Sequence, residues 1–254
     1  MSDLTAFSLA GKRILVTGAN TGIGQGIAVS IARAGGAVIG VGRSSMEETA
    51  NKVAALGGQL EMVAADLADT GAAGPMLDRV WDENGPLDGL VNNAGIIRRA
   101  DAVALTETDW DDVIDVNLKT AFLLCQAFAR CVLAEGRQGK IVNIASVLSF
   151  QGGIRVASYT ASKHGVLGIT RLLACEWAAK GINVNGIAPG YIETNNTQAL
   201  RADPDRSAAI LGRIPAGRWG EPGDIGDAAV FLLAPASNYM HGAVVPVDGG
   251  WLAR

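Results

Sequence analysis

The 254-residue sequence has three cysteines, two histidines and no run of basic residues, and each shortage removes a class of protein. Cys125, Cys131 and Cys175 are odd in number and lack Cys-x-x-Cys spacing, so they suggest neither a disulfide framework nor a zinc site and read as buried thiols. His164 and His241 are too few for a metal centre and read as structural. Charged residues are only 18% of the chain and sum to −4, so without a basic cluster neither nucleic acid nor an anionic membrane is an expected partner. The apolar stretch Ala228 to Ala236 is far too short to span a bilayer, and Met1 to Gly11 has no basic segment followed by an apolar one. Secretion is therefore not expected, and the expected compartment is the cytoplasm. No linker, repeat or low-complexity tract divides the chain, so residues 1–254 read as one domain with one large core.

What is present is alternation. Short β-branched runs at Arg13 to Thr17, Ala37 to Gly42, Leu60 to Ala64, Gly89 to Asn92, Lys140 to Ala145, Asn183 to Ala188 and Ala243 to Val247 are separated by longer helix-period segments. Most of these runs are apolar on both faces, which suits the interior of a parallel sheet covered on two sides. The expected fold class is α/β: a single-domain, Rossmann-like, doubly wound parallel sheet of seven strands. The longest helices are expected over Glu107 to Ala134 and Ala157 to Lys180. Each is apolar on more than one stripe (Phe122, Leu123, Leu124, Phe128; Val166, Leu167, Ile169, Leu172, Leu173). Such a helix buries its second stripe either in a thick core or in the helical interface of a homo-oligomer, and the pattern alone leaves both open. The polar segment 193–213 stands between a strand and a helix beginning near Pro222, the position of a mobile lid.

The first strand runs into Thr17-Gly18-Ala19-Asn20-Thr21-Gly22-Ile23-Gly24. Glycines there let the backbone approach a helix N-terminus, whose free N–H groups and dipole favour a pyrophosphate. The spacing Gly-x-x-x-Gly-x-Gly departs from the general Gly-x-Gly-x-x-Gly dinucleotide pattern. Further on, Tyr159 and Lys163 stand four apart on a helix, which puts a phenol and an ammonium on one face. With three tyrosines and six lysines, that spacing arises by chance about 0.07 times, so it carries information. Ser146 lies thirteen residues upstream, Asn117 earlier still, and an Asn92-Asn93-Ala94-Gly95 turn ends the fourth strand.

Taken in this order, these motifs resemble the short-chain dehydrogenase/reductase family along essentially the whole chain. The resemblance implies a nicotinamide cofactor, NAD or NADP, and a catalytic tetrad of Asn117, Ser146, Tyr159 and Lys163. It also implies cofactor contacts at Gly18, Asn20, Thr21, Gly22, Ile23, Gly24, Asp66, Leu67, Asn93, Ala94, Gly95, Tyr159, Lys163, Pro189, Gly190, Ile192 and Thr194, and a tetrameric assembly. Where an acid would bond the ribose 2′-hydroxyl of NAD stands Gly42, followed by Arg43 and Ser44. Arg43 offers a 2′-phosphate a charge-assisted partner and leans the choice towards NADP, although it could instead stack on adenine. Oxidising an alcohol needs a base near the operating pH. Bringing a phenol from about 10 to about 7 takes roughly 4 kcal/mol of preferential phenolate stabilisation, expected from Lys163 and the oxidised nicotinamide.

The segments Asn93 to Arg99, Ser149 to Gly153, Gly190 to Ile192 and Arg213 to Gly220 further resemble a bacterial group within that family acting on keto-deoxy sugar acids of uronate breakdown. The resemblance implies 2-dehydro-3-deoxy-D-gluconate and its 2,5-diketo partner as the substrate pair. Arg98 or Arg99 could grip a carboxylate, with Arg99 favoured, while Gln151 and Asn195 could bond hydroxyls alongside Ser146 and Tyr159. Three alternatives stay open: a gluconate 5-dehydrogenase or other polyol dehydrogenase, a 3-oxoacyl carrier-protein reductase, and a catalytically idle cofactor-binding redox sensor.

Overall fold

The computed structural model describes residues 5–254; the readings that touch Met1 to Leu4, namely the leader test and the domain's first residues, lie outside the described residues. The elements run β1 (Arg13–Thr17), α1 (Gly22–Arg33), β2 (Ala37–Gly42), α2 (Glu47–Ala54), β3 (Leu60–Ala64), α3 (Thr70–Asn84), β4 (Gly89–Asn92), α4 (Glu107–Ile114), α5 (Thr120–Ala134), β5 (Gly139–Ile144), α6 (Ala157–Trp177), β6 (Ile182–Pro189), α7 (Gln198–Ala202), α8 (Pro204–Leu211), α9 (Pro222–Leu233) and β7 (Val244–Val247). The seven strands form one sheet in the order β3-β2-β1-β4-β5-β6-β7. Every pairing is parallel, as between Leu15 and Ile39 or Asn92 and Asn143.

Period-two alternation sorts the strand residues between two cores. Leu15, Leu90 and Ile141 face Trp81, Phe128 and Leu173 of α3, α5 and α6. Ile14, Val16 and Val142 face Ile27 and Ile31 of α1 and Ile225 and Leu232 of α9. Both faces of the interior strands are therefore apolar, which is why these strands read as continuous hydrophobic runs. β3 is an edge strand and leaves Met62 more than half exposed.

Differences from the sequence reading are local. β5 spans Gly139–Ile144 rather than Lys140 to Ala145, β6 is longer by a residue at each end, and β7 starts at Val244. The helix expected over Glu107 to Ala134 carries a π-helical segment, Asp115–Lys119, between α4 and α5. That continuous stretch of 28 residues is long and apolar enough to cross a membrane by length and composition, yet 50% of its apolar window is buried inside this fold. α6 stops at Trp177 and relaxes through a 3-10 turn to Gly181, whose φ of 82° ends it. The polar segment 193–213, in which the sequence reading named no elements, holds a 3-10 turn, α7 and α8, the last capped by Asp203 with Pro204 behind it. Of the thiols, Cys125 is buried and Cys131 partly so. Cys175 is exposed, contrary to expectation, because it lies on the outward face of α6 beside Glu176.

Candidate active site

The strand order reverses between β1 and β4, and the crevice beyond their carboxyl ends is where open α/β sheets bind ligands. There a cleft of about 570 Å³ runs from the β1–α1 loop to α6. At one end Gly18 and Gly22 adopt φ of +67° and +55°, conformations that only glycine adopts freely, and Asn20, Thr21, Gly22 and Ile23 line the wall. Thr21 caps α1 in extended conformation with no side-chain capping hydrogen bond, which leaves the first N–H groups of the helix open to an anion. A Cβ on Gly18 would come within 3.0 Å of Asn93 Nδ2, so this cradle tolerates no larger residue. The site thus fits a dinucleotide pyrophosphate. Gly24 is absent from the lining: its Cβ would meet Gly18 O at 2.1 Å, and its bareness lets α1 close on the loop.

Beyond the cradle, Gly42, Arg43, Ser44, Asp66 and Leu67 line the adenosine end. Arg43 and Asp66, given separate tasks from the sequence, approach each other at 3.5 Å with both side chains exposed. An exposed pair of this kind is weak, so either partner is free to turn to a ligand. Leu67 contributes its carbonyl, which accepts from Thr120 Oγ1 at 2.9 Å and ties the loop to α5.

Asn92 and Asn93 divide the labour of holding the sheet open at the crevice. Asn92 Nδ2 donates to Asn143 Oδ1 at 2.9 Å, and Asn143 Nδ2 in turn donates to Thr170 Oγ1 at 3.0 Å, linking β4, β5 and α6 below the cleft. Asn93 Nδ2 donates to Thr17 O at 2.9 Å, while the Asn93 and Ala94 amides donate to Thr17 Oγ1. Asn93, Ala94 and Gly95 also line the cleft, facing Pro189, Gly190, Ile192 and Thr194 from the end of β6.

Ser146, Tyr159 and Lys163 meet at the inner end. Ser146 follows β5 directly and is fixed by a capping box: its Oγ accepts from Leu148 N at 3.1 Å, and its own amide donates to Ser149 Oγ. Ser149 Oγ then donates to Lys163 O at 2.6 Å, which locks this turn onto α6. Lys163, only 5% exposed, donates from Nζ to Ile144 O at 2.6 Å and stands over the Tyr159 ring, 5.6 Å from its centre. Burial brings the Lys163 pKa down to about 8. Burial pushes the Tyr159 phenol above its ordinary value, opposed by a hydrogen bond with Ser146 and by the charge of Arg99. The expected lowering by Lys163 is therefore not built into the chain alone. Its ammonium covers the ring, is bound to a carbonyl and is itself disfavoured by burial, so within the chain it is Ser146 and Arg99 that favour the phenolate.

Asn117 sits in the π segment, buried. Its Oδ1 accepts from Ile96 N at 2.8 Å, and its Nδ2 donates to Ile96 O at 2.9 Å and to Ser162 Oγ at 3.2 Å. Asn195 lines the cleft and reaches Thr21 Oγ1 at 3.4 Å. Arg98 also lines it, but is held by Asp109 and Asp112 at 3.3 and 3.0 Å. Arg99 and Gln151 are not among the lining residues; Arg99 is exposed and donates to Asn196 O at 3.1 Å, bridging the β4–α4 loop to the segment after β6. The sequence reading missed Ile96, from the β4–α4 loop, Asp112 of α4, and Asn196 and Thr197 of the 3-10 turn after β6 as wall residues, because none of them belongs to a motif of its own. His164 is exposed, and His241 bonds Asn183 near the start of β6.

A glycine cradle joined through one cleft to a Ser-Tyr-Lys cluster defines an NAD(P)-dependent oxidoreductase. The chain belongs to the short-chain dehydrogenase/reductase family, and over residues 18–252 it matches the family described as enoyl-(acyl carrier protein) reductase. It is 56% identical to the 2-dehydro-3-deoxy-D-gluconate 5-dehydrogenase of Escherichia coli K12, with 99% of each chain covered. A crystal structure from Agrobacterium tumefaciens, described as a 2-deoxy-D-gluconate 3-dehydrogenase with bound NADP, is 62% identical. It superposes with a TM-score of 0.94 over 98% of this chain and 99% of that one. A Beutenbergia cavernae structure, described as an NAD(P)-dependent gluconate 5-dehydrogenase with NADP, is 51% identical with a TM-score of 0.94, covering 98% and 100%.

Proposed function

We propose that this chain oxidises 2-dehydro-3-deoxy-D-gluconate at its C5 hydroxyl to the 2,5-diketo acid, and catalyses the reverse reduction, with NADP as the preferred cofactor. Similarity to the Escherichia coli enzyme supports the substrate. For the cofactor, Gly42 leaves no acid to repel a 2′-phosphate, Arg43 lines that end of the cleft, and two similar structures carry NADP. Bound nicotinamide supplies the hydride acceptor or donor and, when oxidised, a positive charge beside Tyr159. In this reading Tyr159 takes the C5 hydroxyl proton, Ser146 bonds the same oxygen as charge develops, and Lys163 orients the phenol and the nicotinamide ribose. Asn117, bonded to Ser162 beside Lys163, anchors the proton path to bulk water. Residues 193–213 act as the lid. Asn195 and Gln151 serve sugar hydroxyls, with Gln151 reaching them only when the lid region adjusts, and Arg99 takes the carboxylate because Arg98 is already paired with two acids. The assembly is a cytoplasmic homo-oligomer, a tetramer by family.

The observation that carries the proposal is the placement of Tyr159, Lys163 and Ser146 in the same cleft as the glycine cradle. The test is turnover of NADP or NAD with 2-dehydro-3-deoxy-D-gluconate, gluconate and a 3-oxoacyl thioester, followed by reduced-nicotinamide absorbance. The keto-deoxy acid should give the highest kcat/KM; gluconate or the thioester at equal or greater efficiency would replace the substrate assignment. Tyr159→Phe should lose at least about 1000-fold in kcat while binding cofactor normally, which an idle sensor would not show. Arg99→Ala should raise KM for the acid far more than for a neutral analogue.

A further inference from the structure

We infer that Trp251, outside the cleft at the C-terminal end of the chain, is a positioning residue for the reaction, seating the lid and the Ser146 turn on one shared base. The inference rests on the reading of residues 193–213 as a lid. The stretch from Ile192 to Gly220, which contains that segment, is pinned at its ends: Ile192 bridges Gly220, Glu193 N donates to Gly220 O at 2.8 Å, and Gly220 N donates to Tyr191 O at 2.9 Å. What lies between therefore hangs from one base. Trp251, 3% exposed, fills that base. Its cluster holds Ile210 of α8 and Ile214 from the lid side, Trp219 from the returning strand-like segment, and Val147, the residue directly after Ser146.

Two further contacts hold the indole, and a turn presents it. Tyr191, between the cleft-lining Gly190 and Ile192, has its ring centre 4.6 Å from that of Trp251. The Arg213 guanidinium lies 3.9 Å over the indole, at the C-terminal end of the lid. The Asp248 carboxylate accepts from Gly250 N and Leu252 N at 2.8 and 2.9 Å, shaping the turn that presents the ring. The indole N–H is buried without a partner, so the ring acts by its bulk and its face rather than by a hydrogen bond. Removing that bulk lets α8 settle inward and frees Val147, so lid and Ser146 shift together. The cradle for the pyrophosphate lies at the other end of the cleft and contributes no residue to this cluster.

The test uses the full chain as Trp251→Ala, Trp251→Phe and Arg213→Gln. Trypsin cleavage at Arg201 and Arg206 reads the lid with and without NADP plus the keto-deoxy acid, NADPH fluorescence gives cofactor affinity, and steady-state rates separate KM from kcat. Trp251→Ala should raise sugar-acid KM by about 10-fold and lid cleavage by a similar factor, with cofactor Kd within about twofold. Trp251→Phe should restore both, and Arg213→Gln should move both in the same direction by about two- to threefold. Unchanged KM and cleavage in Trp251→Ala, or a cofactor Kd that rises as much as KM, would overturn the inference. If that variant does not fold, unchanged values in Arg213→Gln overturn it instead. Wild-type cleavage that ligands fail to slow sinks the lid reading and this inference with it, whereas protection that survives Trp251→Ala sinks the inference alone. Proteolysis does not depend on which acid is turned over, so any tight-binding acid serves and the substrate assignment fails or stands separately.

Discussion

Lys163 is placed where a charge is costly and function still needs it. Its ammonium is almost fully buried, with Ile144 O as its hydrogen-bond acceptor, and burial takes its pKa from 10.5 to about 8. A basic group whose folded pKa lies below its unfolded one holds fewer protons folded than unfolded between those values. The penalty is therefore full below pH 8, declines as pH rises, and is gone above 10.5. That drop corresponds to about 3 kcal/mol, from which the lost Ile144 hydrogen bond subtracts about 1 kcal/mol. Lys163→Met should accordingly abolish turnover yet stabilise the fold by about 2 kcal/mol at pH 7, with the gain shrinking towards pH 10. Urea unfolding of both proteins at the two pH values checks it; a Met variant less stable than wild type at pH 7 would mean the ammonium is solvated or paired in the folded chain.

Helix α1 is built to be approached closely on two sides. Gly24 faces Gly18 O, and Gly26 faces Pro222, where a Cβ would lie 2.5 Å from backbone. Gly226 of α9 meets Gly26 O at 2.7 Å by the same measure, so the α1–α9 crossing is glycine against glycine. Gly24→Ala forces the cradle apart, at a cost of about 1–3 kcal/mol, so Tm should fall by about 2–10 °C and cofactor Kd should rise by at least about 10-fold. Gly223→Ala in the first turn of α9, where nothing lies within 4 Å, should instead stabilise by about 0.5–1 kcal/mol, and calorimetry with cofactor titration separates the two. This is also the scale at which sequence and structure part. Strand positions were readable to within a residue because burial on both faces writes itself as runs such as Ile141-Val142, and the nearness of Tyr159, Lys163 and Ser146 was readable because a four-residue helical step and a strand end bring them to one cleft. The π segment was not, since a contact across the fold, Asn117 to Ile96, sets it. Nor was the Arg43–Asp66 pairing, which joins the ends of two strands that only the sheet brings together. The helices of segment 193–213 had a local signal, Asp203-Pro204, hidden by the polarity of the segment.

At the scale of the molecule, the second apolar stripes of α5 and α6 bear on the two readings the sequence left open. Leu124 and Phe128 on α5, and Val166 and Leu173 on α6, are buried within the chain. Leu123, Leu167 and Ile169 are only partly covered, and Leu133 and Leu172 are exposed at 39% and 51%. The core of one chain therefore takes up most of these stripes and leaves Leu133 and Leu172 uncovered, and these are the residues a helical interface would use. Two copies related by a twofold axis would cover the same patch on both partners, so each leucine counts twice, at about 1.5–3 kcal/mol for full burial. The same symmetry makes a charge self-defeating: Leu172→Glu would bring two buried carboxylates into one isologous interface. Light scattering after size exclusion should give four chains for the wild type and a smaller assembly for Leu172→Glu, whose far-UV spectrum stays native because the position faces outward. A wild type that runs as a monomer at tens of micromolar would remove the interface and leave these stripes without a function.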